Sequence, residues 1–258
     1  MLQTSVLAAV SLLAVMSNLP GQNSFSSEAS SAATTVATHA RACQSALKAQ
    51  AFGNGRWVAL TSDGKLRCST DGIEWNSAYL PIESFLRGVA FGNGQFVAVG
   101  GSYLGCGSVI LTSANGRSWN LHTCLSKQVL HAVAYSGNWF VAVGAGGTIL
   151  TSKSGQRWQK QASDTDATLA AVVHGNGTCV ISGDDGLILS SRDAQTWTRQ
   201  TSGTSRYVGN MVFDREHFVA TVGDLHLEST DGSRWQAIQS ATVPAGGLLA
   251  PTNVAVSK

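Results

Sequence analysis

A seven-residue stretch, Ser69-Thr70-Asp71-Gly72-Ile73-Glu74-Trp75, returns four times in altered form. The later copies run from Ser113 through Asn115 to Trp119, from Ser152 through Ser154 to Trp158, from Ser191 through Asp193 to Trp197, and from Ser229 through Asp231 to Trp235. The tryptophans step by 44, 39, 39 and 38 residues. A fixed period near 40 means a repeat architecture, in which each unit buries its apolar face against its neighbours. This period excludes most folds before any single residue is weighed.

A second motif precedes each tryptophan. Its clearest form is Ala90-Phe91-Gly92-Asn93-Gly94-Gln95-Phe96-Val97-Ala98-Val99-Gly100. Apolar residues lead into a Gly/Asn turn, and an aromatic with Val/Ala alternation follows. Gly and Asn tolerate the positive φ of tight hairpin turns, so this is a β-hairpin of strands A and B. A short β-rich run such as Thr148-Ile149-Leu150-Thr151 makes strand C. The tryptophan motif then turns C into D, with Ser and Asp side chains bonding backbone N–H groups and Trp packing back on the sheet. One period therefore makes a four-stranded antiparallel sheet, and radial repetition of such sheets makes an all-β propeller. Five blades are expected. The alternative is six, with a composite terminal blade drawn from 26–45 and 241–258.

The tryptophan motif resembles the Asp-box, or BNR repeat, in the short form Ser-x-Asp-Gly-x-x-Trp. Together with Phe-Val-Ala-Val-Gly and Ile-Leu-Thr-Ser it is similar to bacterial Asp-box propellers related to photosystem II assembly and stability factors. The resemblance implies a structural role for Ser69, Asp71, Trp75, Ser113, Asn115, Trp119, Ser152, Trp158, Ser191, Asp193, Trp197, Ser229, Asp231 and Trp235, each turn fastening its own blade. Asn115 and Ser154 stand where Asp is expected, and Ala194 replaces Gly, so those turns should be weaker.

Residues 1–22 read as a signal peptide, because Val6 to Met16 is an apolar run of h-region length. Residues 23–45 form a Ser/Ala/Thr-rich linker and 46–258 the propeller. The expected location is secreted or periplasmic, with no transmembrane span in the mature chain. A formal net charge of +2 without a Lys/Arg cluster argues against a nucleic-acid surface. Of the five cysteines, Cys106 and Cys124 fall at one end of neighbouring strands and are a candidate disulfide. Cys43 with Cys68 is a second pairing. Cys179 replaces the strand-B aromatic and reads as a buried free thiol.

Propeller topology puts A–B hairpins and tryptophan turns on one face, and B–C loops and D-to-A connections on the other. The second face is the candidate ligand or partner face. It is expected to carry Tyr79, Arg87, Tyr103, Lys127, His131, Asp164, Asp184 and Arg206. Aligned positions on the innermost strands hold Lys48, Arg87, His131, Ala170 and Gly209, and the inserted loop Gly101 to Gly107 explains the 44-residue step. No metal-ligand spacing, cofactor motif or nucleophile signature is visible. The expectation is a monomeric, non-catalytic scaffold that binds a protein or glycan, without metal or cofactor. A sialidase-type glycosidase is the alternative. It would need three arginines on a carboxylate, a Tyr–Glu nucleophile pair and an acid. The glutamates are few, and Glu74 and Glu216 fall on the other face. A lectin is the third reading.

Overall fold

Every strand-A-to-strand-B connection is a tight turn made by residues that accept positive φ. Asn54-Gly55, Asn93-Gly94 and Asn176-Gly177 all lie there, and Arg215-Glu216 does the same in the last repeat. The computed structural model describes residues 47–103, 105, 107–122 and 127–238. These residues form five four-stranded antiparallel sheets, each with its strands in chain order. Blade 1 is β1 (Leu47–Gly53), β2 (Arg56–Thr61), β3 (Leu66–Ser69) and β4 (Asn76–Ser77). Blade 2 is β5 (Ser84–Gly92), β6 (Gln95–Ser102), β7 (Ser108–Ser113) and β8 (Asn120–His122). Blade 3 is β9 (Leu130–Tyr135), β10 (Phe140–Gly144), β11 (Thr148–Ser152) and β12 (Gln159–Gln161). Blade 4 is β13 (Leu169–Gly175), β14 (Thr178–Gly183), β15 (Ile188–Ser191) and β16 (Thr198–Gln200). Blade 5 is β17 (Asn210–Asp214), β18 (His217–Val222), β19 (Leu225–Ser229) and β20 (Gln236–Ile238). The first strands pack side by side, β1 on β5, β5 on β9, β9 on β13 and β13 on β17. They are the inner wall of a five-bladed propeller. A composite sixth blade, the linker, the leader and the Cys106–Cys124 pair all fall on residues outside the described set.

Alternation along the strands gives each blade two apolar faces. In blade 2, Val97, Val99 and Ile110 face blade 3, while Phe96, Ala98, Val109 and Leu111 face blade 1. The rings at the Phe96 position are fully buried in blades 2, 3 and 5, as Phe96, Phe140 and Phe218. Each such burial stabilises by roughly 2–3 kcal/mol. In blade 4 the position holds Cys179, a buried free thiol whose pKa burial pushes up to about 12. Cys68 is also free and buried, in the core between blades 1 and 2, while Cys43 lies outside the described residues.

Among the described residues there are four apolar cores for five blades, one at each junction from blade 1 to blade 5. No fifth core joins blade 5 to blade 1 among the described residues. The outward faces of these two blades mix apolar side chains, Phe52, Trp57 and Ala59 on blade 1 and Val212 and Val219 on blade 5, with charged and imidazole ones. On blade 5, His226 and Glu228 take the positions that Leu66 and Cys68 fill toward blade 2. On blade 1, Arg67 takes the position of Leu111, Leu150, Leu189 and Leu227.

The tryptophan turn does more than fasten its own blade. Within it, Ser69 Oγ donates to Asp71 Oδ1 (2.8 Å) and accepts from the Gly72 N–H (2.8 Å). The same carboxylate oxygen accepts from the N–H groups of Ile73 (2.8 Å) and Glu74 (3.0 Å). The glycine at its tip is pressed against the preceding blade. A Cβ on Gly116 would lie 2.6 Å from Val58 Cγ2, one on Gly155 2.7 Å from Val97 Cγ2, and one on Gly232 2.6 Å from Val180 Cγ2. Hairpin asparagines stitch the same junctions: Asn54 Nδ2 donates to the carbonyls of Gly94 and Ala114 in blade 2 (both 2.9 Å). Asn176 Nδ2 does so to Glu216 (3.0 Å) and Thr230 (3.1 Å) of blade 5. The turn is thus a wedge between blades.

The three departures from the motif differ in their consequences. Asn115 Oδ1 accepts from the N–H groups of Arg117 (2.9 Å) and Ser118 (3.0 Å), the geometry of Asp71, so this turn is not weakened. An amide oxygen serves as acceptor as well as a carboxylate oxygen here. Ser154 keeps one longer bond, from the Gln156 N–H at 3.3 Å. Ala194 is forced to φ +61°. In blades 2, 3 and 5 the tryptophan Nε1 donates to the glycine carbonyl, at 3.1, 2.8 and 3.3 Å. Behind Ala194, Trp197 Nε1 is buried without a partner.

Candidate functional site

The face opposite the tryptophan turns is built from B–C loops packed on D-to-A connections. Gly64 lies against the backbone of Phe85 and Leu86, Gly107 against Lys127, Gly147 against Thr165 and Gly186 against Thr204. The inner strands enter from this face, and four of them slip register at the same place. In blade 1 the pairs Leu47↔Thr61 and Ala49↔Leu60 leave Lys48 extra. In blade 2, Leu86↔Gly100 and Gly88↔Val99 leave Arg87 extra. His131 is extra in blade 3 and Ala170 in blade 4. Each is a β-bulge, a device that re-aims one side chain out of the regular alternation. Three successive bulges carry basic side chains.

These side chains feel one another's charge. Burial pulls the Lys48 ammonium below its usual range, and the Arg87 guanidinium adds to the shift. His131 is held low mainly by burial, then by the field of Arg87. A hydrogen bond to the Leu169 backbone works in the opposite direction, Lys48 lowers the value further, and Asp184 raises it. Blades 1 to 4 therefore each place one ionisable side chain, Lys48, Arg87, His131 or Asp184, within electrostatic reach of the others around His131. Asp184 is already engaged, accepting from the Thr168 N–H at 3.3 Å, while its own N–H donates to the Thr168 carbonyl at 3.0 Å. The cations repel one another and lack an equal counter-charge, so an anion placed among them relieves a standing cost.

Beside the cluster runs an aromatic path. The Arg87 guanidinium lies over the Phe85 ring at 5.6 Å, and Phe85 meets Tyr103 edge-on at 5.2 Å. Tyr103 is 69 % exposed and lines a cleft of ≈ 530 Å³. Phe85 and the cleft wall Leu80-Pro81-Ile82 carried no motif that would single them out.

The remaining expected face residues are scattered. Lys127 lies beside Gly107 at the foot of the inserted loop. Asp164, at φ +52°, sits in the blade 3-to-4 connection. Arg206 covers Gly223 in the B–C turn of blade 5. Tyr79 is the correction. Its N–H donates to the Arg117 carbonyl (2.7 Å) and it pairs with Ser118, so it is tied to the tryptophan turn of blade 2. Strand D is the outermost of its blade, and its exit meets the neighbouring turn at the rim.

No protein-family model matches the chain, and no curated protein matches it in sequence. Solved structures do match. YCF48 from Cyanidioschyzon merolae is 17 % identical over 73 % of this chain and 70 % of its own, with a TM-score of 0.52. A structure of YCF48 bound to D1 peptide is 17 % identical over 75 % and 68 %, with a TM-score of 0.58. A streptogramin B lyase is 14 % identical over 74 % and 67 %, with a TM-score of 0.62. All are β-propellers, and at these identities the likeness is one of fold.

Proposed function

We propose that this protein is an exported, monomeric, non-catalytic Asp-box propeller that acts as an assembly scaffold by capturing an acidic peptide segment of a partner protein. The observation that carries the reading is the trio Lys48, Arg87 and His131, raised on successive bulges around the inner wall. Side chains aimed out of a ladder toward one face, two of them cationic and the third an imidazole, fit recognition of a carboxylate. At an effective dielectric of about 20, a carboxylate ~5 Å from each of two cations gains roughly 3 kcal/mol per pair before desolvation. The YCF48 structure that holds a D1 peptide supports a peptide as ligand, since it has this fold. The geometry of the tryptophan turns supports Asp-box identity, and the apolar run Val6 to Met16 supports export.

Fluorescence anisotropy with a labelled Glu-rich peptide tests the reading. Binding should weaken steeply between 50 and about 200 mM salt, and the Lys48→Ala/Arg87→Ala pair should bind at least about tenfold less tightly. Unchanged affinity in that variant refutes it. Capture of an acidic glycan but no acidic peptide would move the site to a lectin. N-terminal sequencing of the protein from culture fluid or periplasm checks export.

A further inference from the structure

The cleft beside the basic cluster is lined by Ala78, Leu80, Pro81, Ile82 and Tyr103, with Ser84 at its wall. Leu80 and Ile82 are half-buried, their inner sides packed on the core between blades 1 and 2. Tyr103 stands over them from the next blade, braced by Phe85. Ser84 keeps a buried Oγ without a partner. A buried hydroxyl left unpaired costs stability. The cleft's outer rim carries Asp63 and Glu83 together with Lys65, which pairs with Asp63 at 3.3 Å. Charge therefore runs from basic at the inner wall to mildly acidic at the rim. A bound segment with its carboxylate at the inner wall is held in one direction.

We infer that this cleft is an apolar subsite for the same partner, seating a large aliphatic or aromatic side chain about three residues from the carboxylate held by Lys48 and Arg87. The inference rests on the peptide-capture reading above. The spacing comes from the aromatic path that joins the two places. Laid end to end, the 5.6 Å step from Arg87 to Phe85 and the 5.2 Å step from Phe85 to Tyr103 reach about 11 Å. An extended chain rises about 3.3 Å per residue, so about three residues cover the distance. The occupant is an extended acidic segment with one apolar anchor, and Tyr103 is its specificity-determining contact.

A spacing series of capped, fluorescein-labelled octapeptides tests this. Each holds a Glu pair and one Leu placed one, three or five residues away, in a Ser/Gly background, and a control has Ser for Leu. In the wild-type protein the three-residue peptide should bind about tenfold more tightly than the Ser control, the worth of one buried aliphatic side chain. Tyr103→Ala should remove that advantage, and Tyr103→Phe should keep it, because the phenyl ring is retained. Arg87→Ala should weaken the Leu and Ser peptides alike. If the Leu and Ser peptides bind the wild-type protein equally while Arg87→Ala abolishes both, the subsite is wrong and peptide capture stands. If Arg87→Ala changes nothing, peptide capture itself fails. If a Leu peptide without Glu binds as tightly as the full one and responds to Tyr103→Ala, the cleft is an independent apolar site and the inferred link between the two places is overturned.

Discussion

Replacing Gly116 by alanine should be among the most damaging single-methyl changes in the protein. Gly116 sits at φ +69°, where an L side chain costs about 1–2 kcal/mol. The new Cβ would also stand 2.6 Å from Cγ2 of Val58, a fully buried, β-branched side chain in the preceding blade. Valine has little rotamer freedom to yield, and overpacking of this kind costs about 1–3 kcal/mol more. The expected loss is about 2–5 kcal/mol, read from the urea midpoint. Gly55 separates the two contributions, because its φ is also +69° but nothing lies within 4 Å of its Cβ position. Gly55→Ala should cost only about 1–2 kcal/mol, the backbone share. Gly72→Ala should resemble Gly55→Ala, since blade 1 has no described blade before it and meets only the Trp57 ring, at 3.5 Å. In the Gly116→Ala/Val58→Ala double variant the clash is relieved, so the two costs should fall short of additivity by about 1–2 kcal/mol. If Gly116→Ala costs the same as Gly55→Ala, the turn does not wedge between blades and the reasoning is wrong.

Ala194→Gly should have the opposite sign. It relieves the αL penalty and frees the geometry in which Trp197 Nε1 finds a carbonyl, at the loss of one buried methyl. A gain of about 1 kcal/mol in urea unfolding is expected, and a loss would contradict the account of this turn. Stability should also fall in two steps on acidification. His122, His131 and His174 are held below their usual value chiefly by burial, so the unfolded chain takes up protons first and stability declines as pH drops below about 6.5. The turn carboxylates Asp71, Asp193 (down to about 2) and Asp231 are held low chiefly by backbone N–H groups. Their contribution is present above about pH 4 and is lost as pH falls through their native values. Urea midpoints from pH 8 to pH 2 check both steps, and a midpoint constant down to pH 4 would refute the first.

The architecture was legible because it is written locally. The residues of each turn, Asn54-Gly55 or Ser69 to Trp75, state their conformation within a few positions, and the period repeats the statement five times. What could not be read depends on the meeting of distant segments. Nothing within Ser113–Trp119 says that its glycine presses on another blade, because the receiving valine, Val58, lies in the preceding repeat. Lys48, Arg87 and His131 align in the sequence, yet the bulge that lifts them is a property of two paired strands. Tyr79 was misplaced for a related reason. Loop order assigns a connection to a face, but not how far along the rim its backbone first meets the next blade. Asn115 shows the limit of reasoning by residue type, since its amide oxygen does the work expected of a carboxylate.

The most direct test of the basic cluster as the capture site is the pKa of His131, followed by NMR of its imidazole with and without the Glu-rich peptide. The free protein should titrate below the ordinary histidine value, because burial and the fields of Arg87 and Lys48 all disfavour the imidazolium. A carboxylate seated among these groups offsets those fields, so saturating peptide should raise the pKa, and Arg87→Ala should raise it in the absence of peptide. A His131 pKa that does not move when the peptide binds would place the ligand elsewhere and contradict the account.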